Sequence, residues 1–105
     1  MPTDLKVVPA SALKALAEPL RWRIVELLAV EELCVCHLVE ELEVAQSLVS
    51  HHLRALREAG LVESHRHRYW TYYRLRPDAL AALGRRLGGL ADAATSSGDR
   101  RRPCC

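Results

Sequence analysis

The segment VEELCVCHLVEEL, residues 30–42, sets two thiols one residue apart, Cys34 and Cys36, among leucines, valines and glutamates. Thiolates select soft cations. On a regular α-helix, however, residues two apart point about 200° from one another around the axis. The two sulfurs therefore converge on one ion only where the backbone leaves the helix. At a helix start the macrodipole favours thiolate over thiol; the plainer alternative is a pair of small buried apolar side chains. Two more cysteines, Cys104 and Cys105, follow the polar stretch TSSGDRRRP.

A second group of residues suits a polyanion. In AQSLVSHHLRALREAG, Val49, Leu53 and Leu56 fall within about 60° of one another on a helical wheel. Ser47, Ser50, His51 and Arg54 lie on the far side, and Gln46 stands in the first turn. A helix with that face fits a DNA major groove: Arg54 can meet a guanine edge or a phosphate, and the serines can donate to phosphate oxygens. An ordinary solvated face is the competing explanation, and the next segment weighs against it. His65, Arg66, His67 and Arg68 follow at once, at the expected tip of a hairpin, where they would reach the neighbouring backbone or minor groove. Tyr69, Trp70, Tyr72 and Tyr73 read as strand packing.

Charge divides along the chain in the same way. Residues 1–48 hold eight acids against four bases, whereas residues 49–76 hold six arginines and four histidines against two acids. The net charge of +2 hides this split, and only the second segment is a candidate for nucleic acid.

The elements that must position these groups follow from periodicity. SALKALAEPLRWRIVELLAVEE gives two helices, with Leu13 and Leu16 inward in the first and Pro19 in the first turn of the second, where its missing N–H costs nothing. Trp22, Ile24, Val25, Leu27 and Leu28 make the second helix central to the core. CVCHLVEELEV gives a third helix with Leu38, Val39 and Leu42 inward, and a fourth runs to Gly60, a residue suited to a left-handed helix end. Past it, LVESHRHRYWTYYRL gives two antiparallel strands, roughly 61–65 and 69–75. DALAALGRRLGGLADAA resumes helical spacing, and its glycines fit a dimer interface. The expected fold is mainly α with a small β-hairpin, in the order α-α-α-α-β-β-α: a winged helix-turn-helix dimerising through its N- and C-terminal helices. Residues 1–94 form the DNA-binding and dimerisation domain and 95–105 a flexible tail.

With 105 residues, half of them apolar, the chain builds one thin core that a dimer interface would reinforce. The start MPTDLKVVPA lacks the features of a signal peptide, and no run is long enough to span a membrane. A cytoplasmic protein with reduced thiols is expected. Neither a CxxC beside a βαβ unit nor a phosphate-type cysteine loop is present, so neither an enzyme nor a small-molecule substrate is expected.

These residues resemble a known family. LVSHHLRALREAGLV, the ELCVC before it and ALAEPLRWRIVELL upstream are similar to the ArsR/SmtB family of metal-responsive winged-helix repressors, over about residues 10–92. The pattern of Ser50, His52, Leu53, Leu56 and Ala59-Gly60-Leu61-Val62 marks the wider family; ELCVC resembles the thiolate site of its arsenic-sensing and cadmium/lead-sensing branches. The resemblance implies a homodimer that sits on an inverted repeat in its own promoter and leaves when metal binds. The implied inducer is As(III) or Sb(III), with Cys34 and Cys36 as two of its ligands. One of Cys104 or Cys105 is the candidate third, since the tail from Ala94 reaches about 33 Å when extended; the competing explanation makes the terminal pair incidental. The alternatives keep the DNA binding. One has Cd(II), Zn(II) or Pb(II) as the signal, with Cys34, Cys36, His37 and a terminal thiol as ligands for cadmium or zinc; the other is oxidation of the thiols. The chain departs from the arsenic-sensing pattern at Val39, where a third cysteine is usual, and at His37, where an Asp is usual. It departs again at Glu43 and Ala45, which replace a turn glycine and a serine N-cap. The last helix has no histidine, which argues against the zinc-sensing branch's site. If the two cysteines share the first turn of the third helix, ligand binding must distort that turn and misplace the reading helix that follows.

Overall fold

The computed structural model describes residues 10–98 and 100–103. Helix α1 covers residues 10–16. Helix α2 (Pro19–Val30) has Glu18 as N-cap, its carboxylate accepting from the Arg21 N–H at 2.9 Å, and Pro19 in the first turn as expected. Then come β1 (Leu33–Cys34), α3 (Val35–Leu42), α4 (Gln46–Glu58), β2 (Val62–His67), β3 (Trp70–Leu75) and α5 (Pro77–Ser97). The three strands form one antiparallel sheet in the order β1-β3-β2.

Four helices, a hairpin and a last helix match the sequence expectation; β1 does not. It pairs Leu33 with Tyr73 and Cys34 with Tyr72, so helix α3 begins at Val35 and Cys34 precedes it in extended backbone (φ −93°, ψ 172°). The hairpin also runs further than its composition suggested. Strand β2 continues to His67, so His65 and Arg66 lie within the strand and the tip is the pair Arg68–Tyr69. Arg68 closes this two-residue turn at φ 59°, without the glycine or asparagine that normally announces such a turn. Helix α5 continues three residues beyond Ala94, through Ser97.

Ile24, Leu38, Val49, Leu53, Leu56 and Leu61 are the fully buried centre, where α2, α3 and α4 meet the start of β2. Truncating Leu56 to alanine there is expected to cost about 2–5 kcal/mol through lost burial and the cavity left behind. Helix α4 stops cleanly. Gly60 takes φ +79°, its N–H donates to Arg57 O at 2.9 Å, and the Leu61 N–H donates to Leu56 O at 3.0 Å, the double closure of a Schellman end.

The periphery is less covered than the sequence implied. Leu13 and Trp22 are about half exposed, as is Leu87, and Leu90 is 69% exposed. Apart from Leu83, helix α5 has no buried residue, and the chain extends 61 Å along its longest axis with a radius of gyration of 17.5 Å. A compact chain of this length would have a radius of about 13 Å. Trp22 thus joins an apolar surface instead of the core.

The α3–α4 turn carries a local conflict. Glu43 caps α3 in the left-handed region (φ 55°, ψ 44°), its N–H donating to Val39 O at 2.8 Å. A side chain with a Cβ costs roughly 1–2 kcal/mol there, and glycine avoids that cost while losing more backbone entropy on folding. Glu43→Gly is therefore expected to stabilise the chain by about 0.5–1 kcal/mol, read as a higher urea midpoint at unchanged slope.

Candidate nucleic-acid interface and thiol site

Helix α4 presents two faces because its apolar residues recur at helical spacing. Val49, Leu53 and Leu56 are buried to 1% exposure or less, while Gln46, Ser47, Ser50, His51 and Arg54 are all exposed. Among the described residues none of these five makes a side-chain hydrogen bond or ion pair to another residue. Ala45 offers no side chain to cap the helix, and the Leu48 N–H donates to Ala45 O at 3.1 Å, so the N–H groups of Gln46 and Ser47 are the ones left for an anion. Arg66, His67 and Arg68 are likewise exposed and unpaired with any acid among the described residues. All eight predicted DNA-contacting side chains thus face solvent, five on α4 and three at the far end of the hairpin.

His52 is the exception on this helix. It is 6% exposed. Its Nδ1 lies 3.3 Å from Arg21 Nη1 and its Nε2 4.0 Å from Glu18 Oε1, while Arg21 Nε donates to Ala15 O at 2.7 Å. The N-cap of α2, the end of α1 and the middle of α4 are joined through Arg21 and this imidazole. With Arg21 donating, Nδ1 is an acceptor and the ring is neutral. Burial holds its pKa below the ordinary imidazole range; Glu18 opposes that shift, and Arg21 and His51 add to it. The unfolded chain takes up a proton as the pH falls through about 6.5 and the folded chain only lower. The stability this group gives is complete above pH 6.5 and lost below it. The melting temperature is expected to fall from pH 7 to pH 5.5 by more in the wild type than in His52→Gln.

The thiols lie at the other end of α3. Cys34 is 8% exposed and Cys36 is exposed. The structure sets Cys34 in β1 and Cys36 in the first turn of α3, so half of the departure from helix that the spacing requires is already present. His37, which stands where the arsenic-sensing pattern usually has an Asp, meets Cys34: its Nδ1 accepts the Cys34 N–H at 3.3 Å and lies 3.3 Å from Sγ. The one Nδ1 atom thus meets both the backbone N–H and the sulfur of Cys34, which ties the thiol to the first turn of α3. Among the described residues no three His, Cys, Asp or Glu side chains converge as a metal-binding group. Cys104 and Cys105 lie outside the described residues.

A network not anticipated from the sequence joins this site to the wing. Glu32, two residues before Cys34, binds His65 of β2 and lies 3.6 Å from Arg74 of β3. Arg74 also holds Glu63, its direct cross-strand partner, at 2.9 Å. The hydrogen bond from His65 is the main cause holding the Glu32 carboxyl below its usual pKa. His65 is thereby engaged inside the sheet and absent from the tip. Nothing local in the sequence announces the Glu32 contacts, since they depend on β1 pairing with β3; the Glu63–Arg74 pair needed only the hairpin register.

Comparison with known proteins agrees with this architecture. Residues 18–64, from the N-cap of α2 into β2, match the family described as bacterial regulatory protein, arsR family. The arsenic resistance transcriptional regulator ArsR1 of Pseudomonas putida is 42% identical over 88 residues, covering 83% of this chain and 69% of that protein. An ArsR-like transcriptional regulator from Rhodococcus sp. RHA1 superposes with a TM-score of 0.75 at 29% identity, over 86% of this chain and 88% of that one. A homodimeric winged helix-turn-helix DNA-binding domain from Mycobacterium bovis, described as a possible ArsR-family regulator, gives a TM-score of 0.71 at 28% identity, over 95% and 93%.

Proposed function

Because this chain belongs to the ArsR family of bacterial regulatory proteins, DNA-binding regulators and not enzymes, we propose that it is a transcriptional repressor released from DNA by a thiophilic ion. It sits as a homodimer on an inverted-repeat operator, with α4 of each protomer in a major groove and Arg66, His67 and Arg68 on the adjacent backbone or minor groove. The half-exposed Trp22, Leu13 and Leu87, with Leu90, supply the apolar surface for the second copy. The inducer is trivalent arsenic or antimony bound by Cys34, Cys36 and one of Cys104 or Cys105. The kinship with an arsenic resistance regulator supports that choice.

One observation carries the mechanism: Cys34 belongs to a strand hydrogen-bonded to the wing. Bringing the Cys34 and Cys36 sulfurs onto one ion moves Cys34, and with it the Leu33–Tyr73 and Cys34–Tyr72 pairing and the Glu32 contacts to His65 and Arg74. The ion thus favours a conformation in which the wing no longer suits the duplex, and DNA weakens ion binding by the same factor. A hundredfold loss of DNA affinity needs only about 2.8 kcal/mol of such coupling.

The contact between His37 and Cys34 favours a second reading of the signal. Two thiolates, an imidazole and a terminal thiol form a donor set for tetrahedral cadmium or zinc, and Val39 withholds the third local thiolate that pyramidal arsenic prefers.

The DNA reading is tested with the full chain on a duplex carrying the sequence upstream of its own gene. Protection of two half-sites about one helical turn apart is expected, with affinity falling steeply as salt rises. Binding no tighter than to an unrelated duplex of equal length would refute the repressor.

A further inference from the structure

The tip of the hairpin is aromatic as well as basic. Tyr69 is 88% exposed and Trp70 55% exposed, although strand packing was expected of both. Tyr72 and Tyr73, by contrast, lie deeper in the same strand and are only partly exposed, Tyr73 against the core. Two large rings at the end of a projecting hairpin stand outside the core and leave apolar area open to water. Their neighbours are cationic: Arg68 holds the turn in left-handed backbone (φ 59°) beside Tyr69, and Trp70 pairs across the strands with exposed His67. No acidic side chain among the described residues pairs with Arg66 or Arg68, so the charge at the tip is available to an anionic surface.

Charge and apolar area together identify the partner. Resting on the DNA reading above, we infer that Tyr69 and Trp70 pack on the deoxyribose walls of the minor groove beside the operator half-site, while Arg68 takes the negative potential at its floor. Sugars present apolar C–H surface between phosphates, which suits a ring edge flanked by guanidinium groups. The contact gives the wing a component of affinity that salt does not screen, and a preference for narrow A·T-rich flanks, where arginine is drawn most strongly.

The test uses the full chain beside Trp70→Phe, so that the difference in emission reports Trp70, one of the two tryptophans in the sequence. Poly(dA·dT) and poly(dG·dC) duplexes serve as probes, with anisotropy of labelled DNA reporting binding and Trp70 emission reporting the contact. Trp70 emission is expected to be quenched on saturation with poly(dA·dT) and less so with poly(dG·dC). Tyr69→Ala with Trp70→Ala is expected to weaken poly(dA·dT) binding about tenfold, or about 1.4 kcal/mol, at unchanged salt slope. Arg68→Ala lowers that slope by about two units, one from each protomer. DNA binding with unmoved Trp70 emission, or with full affinity in the double alanine variant, would overturn the inference and leave the repressor standing. Failure of the unmodified chain to bind any duplex, its own upstream region included, would overturn both.

Discussion

Arg54→Ala is expected to lower operator affinity about a hundredfold while leaving the melting temperature close to that of the wild type. The side chain is exposed, lies opposite the buried row of Val49, Leu53 and Leu56, and has no acidic partner among the described residues. Its removal therefore takes nothing from the core. A guanidinium on a guanine edge or phosphate is worth about 1–3 kcal/mol, and a homodimer loses one such contact in each half-site. Two losses near 1.4 kcal/mol make the hundredfold. Fluorescence anisotropy with labelled operator duplex at fixed salt measures it. Unchanged affinity would move the DNA surface off this face of α4.

Cys34→Ser is expected to abolish the response to the inducer and to spare DNA binding. The hydroxyl is nearly isosteric with the thiol, and serine is a preferred residue at a helix N-cap, the position that Cys34 occupies before α3. The fold should therefore tolerate the change. Without that sulfur a soft ion loses a ligand and its purchase on β1. A coupling of about a hundredfold between ion and DNA should fall to about twofold or less. Cys36→Ser should act likewise, since Cys36 is exposed and packs against little. Persistence of full release in Cys34→Ser would place the sensing site elsewhere.

Much of this molecule is written locally in its sequence. Val49, Leu53 and Leu56 recur at helical spacing, Pro19 and Gly60 sit where helix ends require them, and the polar residues of α4 are exposed because the seam behind them is apolar. What escaped detection depends on distant partners. Strand β1 is two residues long, too short for any period, and exists because Tyr72 and Tyr73 lie nearly forty residues downstream in register with it. His52 follows exposed His51 in sequence, yet it is buried and meets Glu18 and Arg21 of another helix. The hairpin turn hid because Arg68 adopts a left-handed conformation without the usual glycine. Trp22 and Leu13 carry the signature of core residues but lie on the surface of a single chain, where hydrophobic periodicity does not distinguish a core from an interface.

The central claim is that one chain binds operator DNA and a thiophilic ion in opposition. Its most direct test is the affinity of the reduced wild-type chain for its own upstream duplex, measured by anisotropy with and without saturating arsenite. The account predicts a loss of affinity of about a hundredfold, reversed by excess dithiol, with DNA in turn weakening arsenite binding by the same factor. Equal affinity with and without arsenite, antimonite or cadmium would contradict it.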